Sequence, residues 1–228
     1  MEYEQIGERV AAVRERIADA ARRSGRPPES VRLVAATKTR TVDEIASVIR
    51  AGVFDVGENR AQELVAKAPA LVGLDPVWHF IGRLQRNKIN QLRRWVSWWQ
   101  SIDDAALADA LTARVEHARV LIEVNIAGET QKGGCTPEAA EGLTDRLRAA
   151  GADVRGLMTV APASADPRPT FAALRGLAGK LELAELSMGM SGDFEAAIEE
   201  GATIVRVGTG LFGPRPDIPP NSGPGAVT

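Results

Sequence analysis

A lysine at the end of a predicted buried strand gives the clearest chemical signal in this sequence. Lys38 follows the run Leu33-Val34-Ala35-Ala36, which is apolar enough to be buried on both faces. Burial disfavours the ammonium form, and the neutral amine is the nucleophile that forms an imine with an aldehyde. The alternative interpretation is a solvated lysine at the start of a loop, and sequence position alone does not separate the two.

Two glycine-containing segments near the carboxyl terminus predict an anion site. Residues 187–193 read Ser-Met-Gly-Met-Ser-Gly-Asp, and residues 206–210 read Arg-Val-Gly-Thr-Gly. Glycines and small hydroxyl residues let backbone N–H groups approach an anion, and a helix beginning near Ser191 would point its positive end at the same place. These segments favour a phosphorylated ligand, and the alternative is that the glycines only form tight turns.

Arg206 lies between two valines in a predicted strand. If Ile204, Arg206 and Gly208 share one face, the guanidinium points into the interior of the fold or its opening. A buried arginine needs acceptors. An internal carboxylate, such as Glu58 or Asp103, is therefore an alternative partner to a ligand.

Other residues of chemical interest have ordinary structural interpretations. We expect His79 to be a hydrogen-bonded structural residue, Cys135 to be a bystander near a helix start, and Met188 and Met190 to fill the core. A basic and aromatic segment resembles a nucleic-acid surface, but a solvated helix with its indoles packed inward is the expected structure. Its residues are Arg83, Arg86, Lys88, Arg93 and Arg94 with Trp95, Trp98 and Trp99.

The composition limits the classes of protein to which this chain can belong. The 228 residues, 44% hydrophobic and 25% charged, suit one large globular domain or two small ones. The net charge of −2 provides no global field for nucleic acid or an anionic membrane. One cysteine excludes an internal disulfide, and two histidines with one cysteine leave little for a zinc site. With an acidic start and no run approaching the ~18 apolar residues of a membrane span, we expect a cytoplasmic protein.

Short β-branched runs that alternate with helical patterns predict the architecture. Their starts lie 20 to 34 residues apart, which leaves room for a strand, two loops and a helix each time. Eight such units predict an α/β fold with a single (β/α)₈ TIM-type barrel, whose reactive groups gather where strands end. The alternative is an open doubly wound sheet. The predicted strands are residues 31–37, 54–57, 78–81, 98–102, 120–126, 154–160, 184–188 and 204–208.

The two ends of the chain fall outside this repeat. Ile6, Val10, Val13 and Ile17 form the apolar stripe of an extra N-terminal helix. Because no helix-length pattern follows the eighth strand, we expect this helix to cover the wall that a last helix would fill. Residues 1–213 then form the barrel, and the Pro/Gly-rich residues 214–228 are expected to be a disordered tail.

Several ordered motifs together resemble one known family. They run from about residue 31 to residue 213, and their order along the chain makes the match specific. The sequence is similar to the pyridoxal 5′-phosphate homeostasis proteins. The motifs are Ala35-Ala36-Thr37-Lys38, Gly57-Glu58-Asn59-Arg60, Trp78-His79-Phe80-Ile81-Gly82, Leu84-Gln85, Asn87-Lys88, Asn125 with Glu129 and Lys132-Gly133, Gly156-Leu157-Met158, residues 186–191 with Asp193, Val205-Arg206, Gly208-Thr209 and Phe212-Gly213.

The resemblance implies a barrel like the N-terminal domain of alanine racemase, with pyridoxal phosphate held as an imine (Schiff base) on Lys38. It further implies that Ser191 and the backbone around Gly208 and Thr209 hold the phosphate. Arg206 would face the pyridine nitrogen. Asn59 would be a neighbour of the ring.

The implied role is in vitamin B6 homeostasis rather than catalysis. A permanently charged guanidinium at the pyridine nitrogen leaves that nitrogen unprotonated and weakens the ring as an electron sink. Alanine racemases also take a second acid or base, a tyrosine, from an additional domain. We expect no such domain here, where Tyr3 is the one tyrosine. Gln100 is a departure, because many relatives are expected to carry histidine there.

We therefore expect a monomeric, non-catalytic carrier that exchanges pyridoxal phosphate with dependent apoenzymes, without nucleic-acid or membrane partners. The main alternative is a pyridoxal phosphate-dependent amino-acid racemase or decarboxylase. Two others are an imine-forming aldolase that acts on a phosphorylated sugar and a nucleic-acid module.

Overall fold

Eight parallel strands close into a barrel in the order in which they occur along the chain. The computed structural model describes residues 2–163 and 165–214. All eight predicted strands are present, so the (β/α)₈ prediction is confirmed and the open sheet is wrong. The strands are β1 (Arg32–Ala36), β2 (Asp55–Glu58), β3 (Val77–Phe80), β4 (Val96–Ile102), β5 (Arg119–Glu123), β6 (Asp153–Met158), β7 (Glu185–Ser187) and β8 (Ile204–Val207).

Helices follow the strands and cover the outside of the barrel. The first of them after a strand begins at a capping box, in which the Thr41 hydroxyl accepts from the Glu44 N–H and the Glu44 carboxylate accepts from the Thr41 N–H. The helices are α1 (Glu2–Arg23), α2 (Val42–Arg50), α3 (Ala61–Leu71), α4 (Ile89–Leu92), α5 (Ala105–Thr112), α6 (Ala139–Ala149), α7 (Arg168–Lys180), α8 (Phe194–Glu199) and α9 (Thr209–Phe212).

The N-terminal helix α1 covers the barrel wall between α8 and α2, as predicted. Its apolar stripe of Ile6, Val10, Val13 and Ile17 is only 2–4% exposed. It also contacts α9, a four-residue helix after β8 that the sequence pattern did not predict. Four residues make a single turn, which is too short for helical periodicity to be recognised.

Alternation of side chains along the strands separates an outer core from the barrel interior. On β8, Val205 and Val207 pack in the main core between strands and helices, whereas Ile204 belongs to a small separate cluster. Ser187 on β7 and Gln100 on β4 are hydrogen-bonded at 2.6 Å although their strands are not neighbours, which requires a contact across the interior. The interior is therefore partly polar. Its apolar cluster contains Val34, Trp98, Leu121, Met158 and Ile204.

Two further features bear on function. Among the helices of the described residues, none has both the length and the apolar character required to cross a bilayer. The same residues contain no group of three or more histidine, cysteine or acidic side chains placed to hold a metal ion. The predicted tail lies outside the described residues, apart from Pro214.

Candidate functional site

A cavity of about 470 Å³ opens at the carboxyl ends of the strands. In a parallel barrel every strand-to-helix loop begins at this end, so residues distant in sequence meet there. All six residues singled out from the sequence line this one cavity. They are Lys38, Asn59, Ser191, Arg206, Gly208 and Thr209.

These residues lie on, or shortly after, four adjacent strands. The barrel order places β7, β8, β1 and β2 side by side. Lys38 comes two residues after β1, Asn59 directly after β2, Gly208 directly after β8, and Ser191 four residues after β7. The barrel closes by pairing β8 with β1, where Ala35 is paired to Val207. This pairing brings residues from the first and the last strand to one site.

The loop that carries Lys38 is held from both sides. Before it, the Thr37 hydroxyl donates to the Glu58 carboxylate at 2.9 Å. After it, the Thr39 N–H donates to Glu63 at 2.9 Å, with Thr39 in the left-handed region at φ 65°. Lys38 itself is half-buried, and its amine has no hydrogen bond or salt bridge to any other residue within 2–163 and 165–214. The amine is thus directed into the cavity without a competing partner.

A second lysine, which sequence reasoning missed, stabilises this loop. The Lys67 ammonium donates to the Thr37 carbonyl at 3.0 Å and to Glu63 at 2.8 Å, and it also contacts the Glu58 carboxylate. The Glu58 side chain is fully buried; burial raises its pKa, and the contact with Lys67 opposes that rise. Glu63 and Lys67 are four residues apart on α3, and this spacing was the available signal.

Ser191 joins the two glycine-containing loops. Its hydroxyl oxygen accepts from the Gly208 N–H at 3.1 Å and from the Gly210 N–H at 3.3 Å. These donors are backbone groups at the start of α9, where intrahelical partners are missing. The expected helix start near Ser191 is displaced, because Asp193 is the N-cap of α8 and its carboxylate accepts from the Met190 N–H. The result is a hydroxyl and two N–H groups at one point, which is the chemistry of an anion site.

Arg206 is buried inside the barrel, with 5% of its surface exposed. Its guanidinium donates to the Ser187 hydroxyl at 2.6 Å and to the Thr159 carbonyl at 2.9 Å. Burial lowers its pKa to about 10, so it keeps its charge at neutral pH. The suggested pairing with Glu58 or Asp103 is wrong, because Glu58 binds Lys67 and Asp103 accepts from the Gly134 N–H.

Glu123 is a second residue that sequence reasoning missed. It ends β5 two residues after the interior Leu121, so alternation directs it toward the same face. Burial, reinforced by the nearby negative charge of Asp103, raises its pKa to about 7. Arg206 acts in the opposite direction. The interior near the opening thus contains a fixed cation and a carboxyl that titrates near neutrality.

The tryptophan, methionine and cysteine side chains of chemical interest differ in their burial. Trp98 and Trp99 are buried at 2% and 1% exposure, so their indoles pack inward as expected, but they lie on β4 rather than on a helix. Trp95 is half-buried. Met188 fills the core, but Met190 is 40% exposed and lines the cavity, because its loop turns outward at Gly189. Cys135 is buried, and burial together with the charge of Asp103 raises its thiol pKa to about 11.

Comparison with known proteins places the fold in a class. Residues 9–216 match the family model of the alanine racemase N-terminal domain. Together with a lysine after the first strand and the Ser191 hydroxyl and backbone N–H groups after the last two, this match defines a barrel of the alanine racemase N-terminal type.

Closer relatives identify the family. A pyridoxal phosphate homeostasis protein from Aquifex aeolicus is 45% identical over 222 residues, covering 91% of this chain and 97% of the relative. An unknown protein from Bifidobacterium adolescentis superposes with a TM-score of 0.88 at 38% identity, covering 92% and 96%. PipY from Synechococcus elongatus, with pyridoxal phosphate bound, superposes with a TM-score of 0.79 at 34% identity. The match covers 91% of this chain and 100% of PipY. The chain belongs to the pyridoxal phosphate homeostasis protein family.

Proposed function

We propose that this protein binds pyridoxal 5′-phosphate reversibly through Lys38 and acts as a non-catalytic carrier in vitamin B6 homeostasis. The observation that carries the proposal is the cavity itself, in which an unpartnered amine, an anion site and a buried guanidinium meet. The names of the relatives and the pyridoxal phosphate bound to PipY support the choice of ligand.

The side chains present fit the cofactor. When bound, pyridoxal phosphate supplies an aldehyde that a lysine amine can hold covalently and a ring that can withdraw electrons. The Lys38 amine is the attachment point, since the nearby Lys67 is committed to Glu58 and Glu63. Asn59, on the loop after the neighbouring strand, lines the same cavity and would be a neighbour of the ring.

The anion site suits a phosphate monoester. We assign Ser191, Gly208 and Thr209 to the phosphate. The Gly210 N–H lies at the same place, because it donates to the Ser191 hydroxyl together with the Gly208 N–H. A Cβ added to Gly192 would meet no atom within 4 Å, so the loop is open at this residue, which also lines the cavity. Backbone donors bind a phosphate without adding a titratable group.

Arg206 is assigned to the pyridine nitrogen. Two of its five N–H groups are used by Ser187 and Thr159, which leaves donors for the cavity that it lines. An arginine donates and does not accept, so it keeps the nitrogen unprotonated and disfavours reactions that need the ring as a strong electron sink.

The other titratable group in the cavity lining, among the described residues, is Arg40. Its guanidinium is held by the Gly213 carbonyl at 2.8 Å and by Glu44 at 3.2 Å. Arg40 is therefore held by protein acceptors rather than placed as a second acid or base. We extend the proposal to a cytoplasmic monomer that exchanges the cofactor with pyridoxal phosphate-dependent apoenzymes.

Borohydride reduction followed by peptide mass spectrometry tests the attachment. The reduced protein should carry the pyridoxyl label on Lys38. Lys38→Ala should lose the label yet retain weaker binding through the anion site, whereas the exposed Lys180→Ala should be labelled like the wild type. A label on another residue of the wild type refutes the assignment.

Spectra and isotope exchange test the other elements. Arg206→Glu should shift the visible band of the bound cofactor to longer wavelength or abolish it, and an unchanged spectrum contradicts the contact. Incubation with L-amino acids in deuterated water should give no sustained α-proton exchange. Exchange with turnover would identify a racemase or decarboxylase instead.

A further inference from the structure

A continuous line of hydrogen bonds crosses the barrel interior from Arg206. The guanidinium donates to the Ser187 hydroxyl at 2.6 Å, and that hydroxyl donates to the Gln100 carbonyl at 2.6 Å. The Gln100 amide nitrogen is 2.6 Å from His79 Nδ1, and His79 Nε2 is 2.9 Å from the Asp55 carboxylate. Ser187, Gln100 and His79 are each 0% exposed, so water does not compete for these contacts.

The two ends of this line determine its direction. Arginine can only donate and an ionised carboxylate can only accept. The Ser187 hydroxyl therefore accepts from Arg206 and donates onward, and the Gln100 amide donates to His79 Nδ1. That nitrogen must carry a lone pair, which leaves the proton on Nε2, facing Asp55. Every group then donates toward Asp55, and aligned bonds of this kind polarise one another.

We propose that Ser187, Gln100 and His79 form a one-directional hydrogen-bond chain that positions Arg206 in the cofactor site and anchors it to Asp55 at the other end of the barrel. The cofactor part of this inference rests on the proposed function. These residues are positioning residues, because none of the three lines the cofactor cavity.

The chain joins two ends of the molecule. Asp55 is the first residue of β2 and lines a separate cavity of about 440 Å³ with residues from the amino ends of the strands, whereas Arg206 lines the cavity at the carboxyl ends. Within residues 2–163 and 165–214, Ser187 is one of two acceptors that hold the Arg206 guanidinium, the other being the Thr159 carbonyl. Without Ser187 the planar guanidinium would be fixed at one point and could rotate away from its ligand.

The histidine in the middle of the chain is held rigidly and neutral. Its ring stacks on Trp98 with centroids 5.5 Å apart and planes 4° from parallel. Arg32 and Arg119 lie over the same indole at 4.9 and 4.8 Å. Burial lowers the His79 pKa, with a further contribution from those two arginines, while Asp55 opposes the change. A neutral imidazole can accept a hydrogen bond at one nitrogen and donate one at the other, and His79 must do both if every bond in the chain is to point the same way.

Nitrogen NMR of protein labelled with ¹⁵N in its histidine rings tests the direction without any cofactor. The chain has two histidines, and His117, with 82% of its side chain exposed, is an internal reference. We expect His79 to show a neutral ring protonated on Nε2. In Gln100→Glu the introduced carboxylate can only accept, so His79 should become doubly protonated. An Nδ1-protonated or doubly protonated ring in the wild type overturns the direction of the chain.

Pyridoxal phosphate titrations test the positioning role. Ser187→Ala and Gln100→Leu should each weaken binding by about fivefold or more and shift the absorption maximum of the bound cofactor, because a buried charged donor loses a partner or its support. Gln100→His should restore both values, since imidazole also offers one donor and one acceptor. Thr144→Val, which removes a buried hydroxyl within α6, is the matched control and should bind like the wild type.

The outcomes separate this inference from the function on which it rests. If the wild type binds no pyridoxal phosphate, the proposed function fails and the cofactor role of the chain fails with it. If the wild type binds and both interrupted variants keep its affinity and absorption maximum, the positioning role alone is overturned. If Ser187→Ala or Gln100→Leu does not fold, Gln100→Glu and Gln100→His are compared instead. The glutamate side chain can only accept, whereas the histidine side chain can both accept and donate.

Discussion

Replacing Glu123 by glutamine is expected to change how the stability of the protein depends on pH. Burial and the neighbouring Asp103 raise the Glu123 pKa from 4.5 to about 7 in the folded state, whereas the unfolded chain keeps the ordinary value. The folded protein then binds the proton more tightly than the unfolded chain. This contribution to stability is fully present below pH 4.5 and is lost as the pH rises through 7.

The magnitude follows from the two pKa values. Each pH unit between them corresponds to about 1.4 kcal/mol, so the free energy of unfolding should fall by up to about 3 kcal/mol from acidic pH to pH 8. Most of this loss, about 2–3 kcal/mol, falls between pH 5 and pH 8. Glutamine has nearly the same shape and does not ionise, so Glu123→Gln should lack this component.

Urea unfolding of the cofactor-free protein at several pH values between 5 and 8 measures the effect. The stability of Glu123→Gln relative to the wild type should increase across this range by the amount given above. Glu141→Gln, at an exposed position on α6, is the matched control. A difference between Glu123→Gln and the wild type that stays constant within about 0.5 kcal/mol would refute the reasoning from burial.

Three other changes have outcomes that the structure specifies. Lys67→Met should destabilise the fold by about 3 kcal/mol in urea unfolding at pH 7, because it leaves the buried Glu58 carboxylate without its cationic partner. Adding Glu58→Gln should recover most of this loss. If the destabilisations of the two single variants simply add in the double variant, the pairing is contradicted. Cys135 should resist iodoacetamide at pH 8 until the protein is unfolded, because its thiol is buried and its pKa is about 11; rapid alkylation of the folded protein would disprove this. Gly189→Ala should lower the melting temperature, because Gly189 has φ 92° and an added Cβ would lie 2.6 Å from a neighbouring methyl carbon. Gly142→Ala, where the Cβ meets nothing within 4 Å, should not lower it.

Sequence reasoning located most of the candidate site because the barrel imposes a simple rule. Residues that follow a strand reach the same end of the barrel, so Lys38 and the segment around Gly208 could be identified from their places after predicted strands, whereas Asn59 was assigned from the family resemblance. The same rule did not reveal Lys67, which lies within a helix and reaches back to the strand end. It also missed the outward turn of Met190, which depends on the conformation of Gly189.

The sequence by itself determined the eight strands, their order along the chain and the residues that follow them, because hydrophobic periodicity and strand ends are local properties of the chain. Only the tertiary structure decided which of these residues are partners. Arg206 meets Ser187 and Thr159 rather than Glu58 or Asp103, and Gln100 reaches across the interior to Ser187. The physical reason is that contacts inside a barrel depend on the registers of all its strand pairs, among them β7 with β8 and β8 with β1. Those registers follow from the packing of the whole fold and are not encoded in any single segment.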